Sequence, residues 1–168
     1  MKTLLMLAAA LAQPTAQPCL TTTEAEALAT VALPDILRQT GVRCAAALSA
    51  GSMLRQSNGA VLQRYTAEAD LAWPAARGAI AKLADPSISA LLDSELARPL
   101  LLTLVTPQIV GRIAVKDCGT IDRLVGLLAP LPPRNVAGVI VTALRHGQAN
   151  RRPGDTTPQL PLCPASGR

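Results

Sequence analysis

The sequence predicts an all-α protein, an irregular bundle of about six or seven short helices stapled by disulfides. Three observations carry this. Apolar residues recur at helical spacing in segment after segment, and no stretch alternates with period two for long enough to make a strand. The chain has no Phe, one Tyr (Tyr65) and one Trp (Trp73), so its core must be built from Leu, Ile, Val and Ala. Such side chains pack well between helices, and Ala and Leu are also the best helix formers. Finally, Cys19, Cys44, Cys118 and Cys163 form an even set, as in a disulfide framework.

The first twelve residues stand apart. Lys2 supplies a basic start, residues 3–12 are a short apolar run, and Ala10-Leu11-Ala12 is a small-x-small cleavage site. This is the pattern of a secretory signal peptide, too short to cross a membrane, with cleavage expected after Ala12. Bulky Gln17 and Pro18 before Cys19 argue against a lipoprotein site. Without the leader, 156 residues remain, a one-domain length, with 15 basic residues against 11 acidic ones. We divide them into a helical domain, residues 13–147, and a tail, residues 148–168. Such an address favours disulfides and implies a periplasmic or secreted protein.

Residues 13–22 carry Pro14 and Pro18 and read as an extended lead-in. Thr23-Glu24-Ala25-Glu26 reads as a capping box opening the first helix. Ala25, Leu28, Ala32 and Ile36 follow at helical spacing, Pro34 should kink or break the helix, and Gly41 should end it. Residues 44–57 are a connector with one short helix around Met53 and Leu54. Asn58 is placed to cap the next helix, which buries Val61, Leu62 and Tyr65. Trp73-Pro74 marks a boundary, since a residue before proline avoids helical geometry. Ala76, Ile80 and Leu83 then share a face, and Asp85-Pro86 is a cap-plus-proline start ahead of Ile88, Leu91 and Leu92.

Residues 100–115 are the most apolar stretch after the leader, and we expect them to be the buried centre of the fold. A membrane span needs about 20 apolar residues. Here Arg98 and Arg112 bracket only thirteen, interrupted by Pro107 and Gln108. Thr106-Pro107 reads instead as the end of one helix and the start of another, burying Ile109, Val110 and Ile113. Asp117-Cys118-Gly119-Thr120 opens a further helix striped by Ile121, Leu124, Val125 and Leu128. Leu131-Pro132-Pro133 breaks it, Val136, Val139, Ile140 and Leu144 stripe the last helix, and Gly147 caps it. The tail has four prolines, two glycines and no apolar stripe, so it cannot pack unless Cys163 ties it back.

Four cysteines allow three pairings. A helix over residues 24–40 spans about 25 Å, whereas a disulfide needs Cα atoms within about 7 Å. Joining Cys19 to Cys44 would therefore require a hairpin at Pro34. Cys19 and Cys163 lie in matching non-helical ends, and chain termini often lie close together. We expect Cys19–Cys163 with Cys44–Cys118.

Residues 117–123, Asp-Cys-Gly-Thr-Ile-Asp-Arg, through Leu131-Pro132-Pro133, with Leu33-Pro34-Asp35, carry a resemblance. They resemble small exported helical proteins of alphaproteobacteria that have no assigned activity. The resemblance implies a periplasmic address and transfers no catalytic residue.

Chemistry is sparse in this sequence. His146 is the only imidazole, placed to favour the end of the last helix, and no Gly-x-Ser-x-Gly elbow is present. The nearest carboxylate pairs are Glu68 with Asp70, Asp93 with Glu95, and Asp117 with Asp122. Residues two apart on a helix point different ways, so each pair reads as a solvated face. Without a close cysteine pair or a second histidine we expect no metal, and without a Gly-rich phosphate loop no cofactor. Arg145, His146, Arg151 and Arg152 form the one basic cluster, a candidate contact for an anionic membrane surface or a protein partner. Stacking aromatics are missing, which argues against nucleic acid. The expected function is non-enzymatic, in binding or in envelope structure. The alternatives are a carrier of a small apolar ligand and an enzyme of unfamiliar type.

Overall fold

The computed structural model describes residues 17–56, 59–151 and 159–164. The leader and Asn58 lie outside the described residues. Among the described residues six α-helices form the fold: α1 (Thr22–Arg43), α2 (Ala60–Leu83), α3 (Ser89–Leu92), α4 (Ala97–Val110), α5 (Cys118–Leu128) and α6 (Pro133–Ala149). A 3-10 turn at Met53–Arg55 precedes α2, and others precede α3 and α5. Among the described residues there is no strand, only an isolated parallel bridge between Leu20 and Leu162.

The centre of the fold is α1, which packs against α2, α6 and α4. One apolar cluster joins Leu20, Ala25, Ala79 and Val141; a second joins Leu33, Tyr65, Val136 and Ala137. Ala29 of α1 touches both. On α2, Leu62, Tyr65, Ala69, Ala76 and Ala79 are buried. Their spacing of three, four or seven residues keeps them on the side that meets a neighbouring helix. The alanines let α1 approach closely.

The expectation that residues 100–115 form the buried centre is corrected. Leu100 and Ile109 are more than 40% exposed and Leu104 is 70% exposed; of α4, only Ala97, Thr106 and Val110 are buried. Its apolar residues surround the whole helix, but only α1 and the short α3 pack against it closely.

The helices are also longer than expected. Pro34, Pro74 and Pro107 all lie inside continuous helices, so α1 and α2 run for 22 and 24 residues. An interior proline removes one hydrogen bond and costs about 3 kcal/mol. In α1 and α2, buried residues occur on both sides of the proline, and a break would uncover one half. Gly41 does not end α1 either; it lies buried under the Met53–Arg55 turn. Gly147 lies inside α6, and Asn150 follows as its C-cap. The stripes of α6 are shifted too, with Val136, Ala137 and Val141 buried while Val139 is half exposed.

The capping box opening α1 is Thr21 with Glu24, two residues earlier than the one read from the sequence. Glu24 accepts from the Thr21 backbone N–H at 2.7 Å and from Lys82 Nζ at 2.7 Å. The Lys82 bond, then the Thr21 bonds, hold the Glu24 carboxyl down to about 2, against an ordinary value of 4.5. A depressed carboxyl stabilises the fold above its unfolded pKa and loses that effect as pH falls through its folded one. Stability should therefore drop between pH 4.5 and about 2 as the α1–α2 link is protonated. In urea titrations across this window, Glu24→Gln should show a flatter pH dependence than the parent; an unchanged slope would refute the assignment.

The segments around Cys19 and Cys163 are fixed together. Cys19 joins Cys163 and Cys44 joins Cys118, with Cα separations of 4.9 and 5.6 Å. Leu20 donates to the Pro161 carbonyl at 2.6 Å, and Cys163 donates to the Leu20 carbonyl at 2.8 Å. The Leu20 side chain is fully buried.

Candidate functional site

Helix α5 packs chiefly on the Met53–Arg55 turn rather than on α1. It is pinned at two places. Its first residue, Cys118, is bonded to Cys44 at the end of α1. One turn on, the Asp122 carboxylate accepts from Ser52 Oγ at 2.6 Å and from the Leu54 backbone N–H at 3.4 Å. At the other end, Arg64 of α2 donates to the carbonyls of Ala129 and Leu131, holding the α5–α6 connection. So α5 is held through its first half and just past its C-terminal end, and Val125 and Leu128 between these anchors border a space above α1, α2 and α6.

The space below is apolar. A cavity of about 110 Å³ lies among α1, α2, α5 and α6, lined by Leu33, Leu37, Val61, Tyr65, Val125, Leu128, Val136 and Ile140. A second, of about 180 Å³, adjoins it at the Met53–Arg55 turn. The two share Leu37, Val61 and Val125 as walls, and Arg38 and Gln56 line the second. The inner cavity reflects the position of α5 together with the composition of the core. A core without Phe has few side chains large enough to bridge the gap under α5. Tyr65 is the one aromatic there, and burial pushes its phenol up from the ordinary value of 10.0 against the opposing charge of Arg64.

An open groove of about 860 Å³ runs among α1, α2 and α4. Trp73, Leu102 and Pro107 line it, with Asp35, Asp70 and Glu95 as acidic members. Asp35 pairs with Arg38 at 3.2 Å and Asp70 pairs with Arg98, so two of the three carboxylates are already neutralised. No sequence signal brings Asp35 and Asp70 together, since they lie on different helices. The Thr106 hydroxyl, buried beside this groove, has no hydrogen-bond partner among the described residues.

The carboxylate pairs read from the sequence are separated by their partners. Glu68 faces Arg134 at 3.5 Å while Asp70 faces Arg98; Asp93 faces Arg77 at 3.2 Å; Asp122 turns to Ser52 while Asp117 is exposed. Among the described residues, no group of three or more His, Cys, Asp and Glu side chains could hold a metal ion.

The basic cluster at the end of α6 serves several tasks. Arg145 donates to the Cys163 carbonyl at 3.3 Å and to Thr22 Oγ1 at 2.9 Å, so it ties the tail to the start of α1. His146 is exposed, with the Asn150 amide 3.3 Å from its ring. Arg151 is half-buried, and Arg152 lies outside the described residues.

No single helix among the described residues is long and apolar enough to cross a membrane. No known protein family, curated protein or solved structure matches the chain.

Proposed function

We propose that this chain is an exported, non-enzymatic binding protein that carries a small apolar ligand under α5. The observation that carries the reading is an apolar cavity of about 110 Å³ adjoining one of about 180 Å³ with a partly polar lining, the two sharing Leu37, Val61 and Val125. A dry cavity of about 150 Å³ takes up a molecule the size of benzene. The two spaces together suit a short acyl chain, its polar end at Arg38 and Gln56. Export is supported by the leader-like residues 1–12 and by two disulfides, which persist in oxidising compartments.

Octanoate is the probe. Ligand that binds only the folded chain raises its stability by about 2.7 kcal/mol at a hundredfold excess over Kd. The mature protein should show a saturable rise in Tm with octanoate. Val125→Phe, which fills the shared wall, should abolish that rise while the variant stays folded. The reading falls if no straight-chain acid from hexanoate to decanoate shifts Tm, or if Val125→Phe responds like the parent.

A further inference from the structure

We infer that the corner between α4 and α5 is a docking surface for an anionic lipid bilayer. Docking does not depend on what fills the cavity. The helices meet at 88°, and large apolar side chains stand outward on both. Leu100, Leu104 and Ile109 are 44%, 70% and 43% exposed on α4; Val115 at the corner is 57% exposed; Leu124 and Leu127 are 52% and 67% exposed on α5. Leu100 and Leu104, four apart, share one face of α4, and Leu124 and Leu127, three apart, share one face of α5, while Ile109 lies on another side of α4 next to the corner. Grouped exposed apolar residues mark interaction or membrane surfaces, whereas isolated ones need no explanation.

The charge beside them identifies the occupant. Arg112, Lys116 and Arg123 are exposed within this corner, and no ion pair to any of them occurs among the described residues. Asp117 is the exposed acid between them, since Asp122 turns inward to Ser52. Apolar side chains flanked by Lys and Arg suit the boundary between acyl chains and anionic headgroups. A second copy of this chain fits less well. A two-fold interface sets each patch against itself, so the three cations would face three more. Helix α4 has 14 residues, about 21 Å at 1.5 Å each, against a hydrocarbon core of about 30 Å. The corner therefore lies in the interface rather than crossing the bilayer.

Co-sedimentation of the mature protein with vesicles tests this. Binding is expected to equal parts of phosphatidylglycerol and phosphatidylcholine, and not to phosphatidylcholine alone. It should weaken as salt is raised, because the attraction is screened. Replacing Arg112, Lys116 and Arg123 together by Gln should weaken binding on the order of a hundredfold. Leu104→Glu with Leu127→Glu should abolish it, and Leu144→Glu, which adds a charge on α6, should leave it unchanged. Circular dichroism and intact disulfides in the mass spectrum establish that each variant is folded. Failure of the parent to bind phosphatidylglycerol vesicles overturns the inference, as does equal loss in Leu144→Glu. A dimer in light scattering that Leu104→Glu dissociates, without vesicle binding, would assign the surface to a second copy.

Discussion

Replacing Cys19 and Cys163 together by Ala is expected to destabilise the protein by about 5 kcal/mol, the largest single effect in the molecule. The cross-linked residues are 144 apart in sequence, and the entropy removed from the unfolded chain grows with loop length. Cys44 and Cys118 are 74 apart, for which the same estimate is about 4.5 kcal/mol. The terminal staple also controls packing. Without it, the tail is held by two backbone hydrogen bonds to Leu20 and by bonds from Arg145 and Gln148, and Leu20 is part of the cluster with Ala25, Ala79 and Val141. A domain of this size loses about 2–4 °C of Tm per kcal/mol, so a fall of about 10–20 °C is expected by calorimetry. Non-reducing peptide mapping checks the premise: a fragment linking Cys19 to Cys44 would contradict it.

Gly41→Ala is expected to be the most damaging of the single small substitutions. An alanine Cβ there would sit 1.9 Å from the Leu54 carbonyl oxygen and 2.9 Å from its carbon. The obstacle is backbone, so it cannot rotate aside. At an open helical position the change would help, since Ala is about 1 kcal/mol better than Gly in a helix. Gly78 on α2 is such a position, with nothing within 4 Å of its would-be Cβ. At Gly41 the clash outweighs that gain, and a net loss of about 3 kcal/mol is expected. The Met53–Arg55 turn must move outward, carrying Leu54 and with it one wall of the larger cavity. Urea unfolding should show Gly41→Ala below the parent and Gly78→Ala at or above it. Equal midpoints for Gly41→Ala and the parent would show that the turn is free to shift.

Much of the fold was legible because its signals are local or combinatorial. Asp85 caps its turn through Ser87, as the Asp-Pro pair suggested, and Cys118 begins α5. The pairing of Cys19 with Cys163 followed from reach, since a helix too long to bridge separates Cys19 from Cys44, together with the tendency of chain termini to lie close together. The helix ends expected around Pro34 and Pro74 are absent for one reason. A proline's cost is local, but the burial that overrides it in α1 and α2 comes from other helices. The candidate site was less legible. The cavity depends on how far α5 stands from α1, which is decided by the Cys44–Cys118 bond and the Asp122 hydrogen bonds across about 70 residues of chain.

The all-α class, the Asp85 cap and the two cysteine pairs can be derived from the residues themselves. Their causes are helical spacing, hydrogen-bonding side chains near helix starts, and the limited span of a disulfide. The fate of residues 100–115 could not be derived in this way. Hydrophobicity states what a side chain costs in water, and not whether a neighbour is there to cover it. Only the tertiary structure decided that α1 lies at the centre and that Leu104, on the most apolar helix, faces outward.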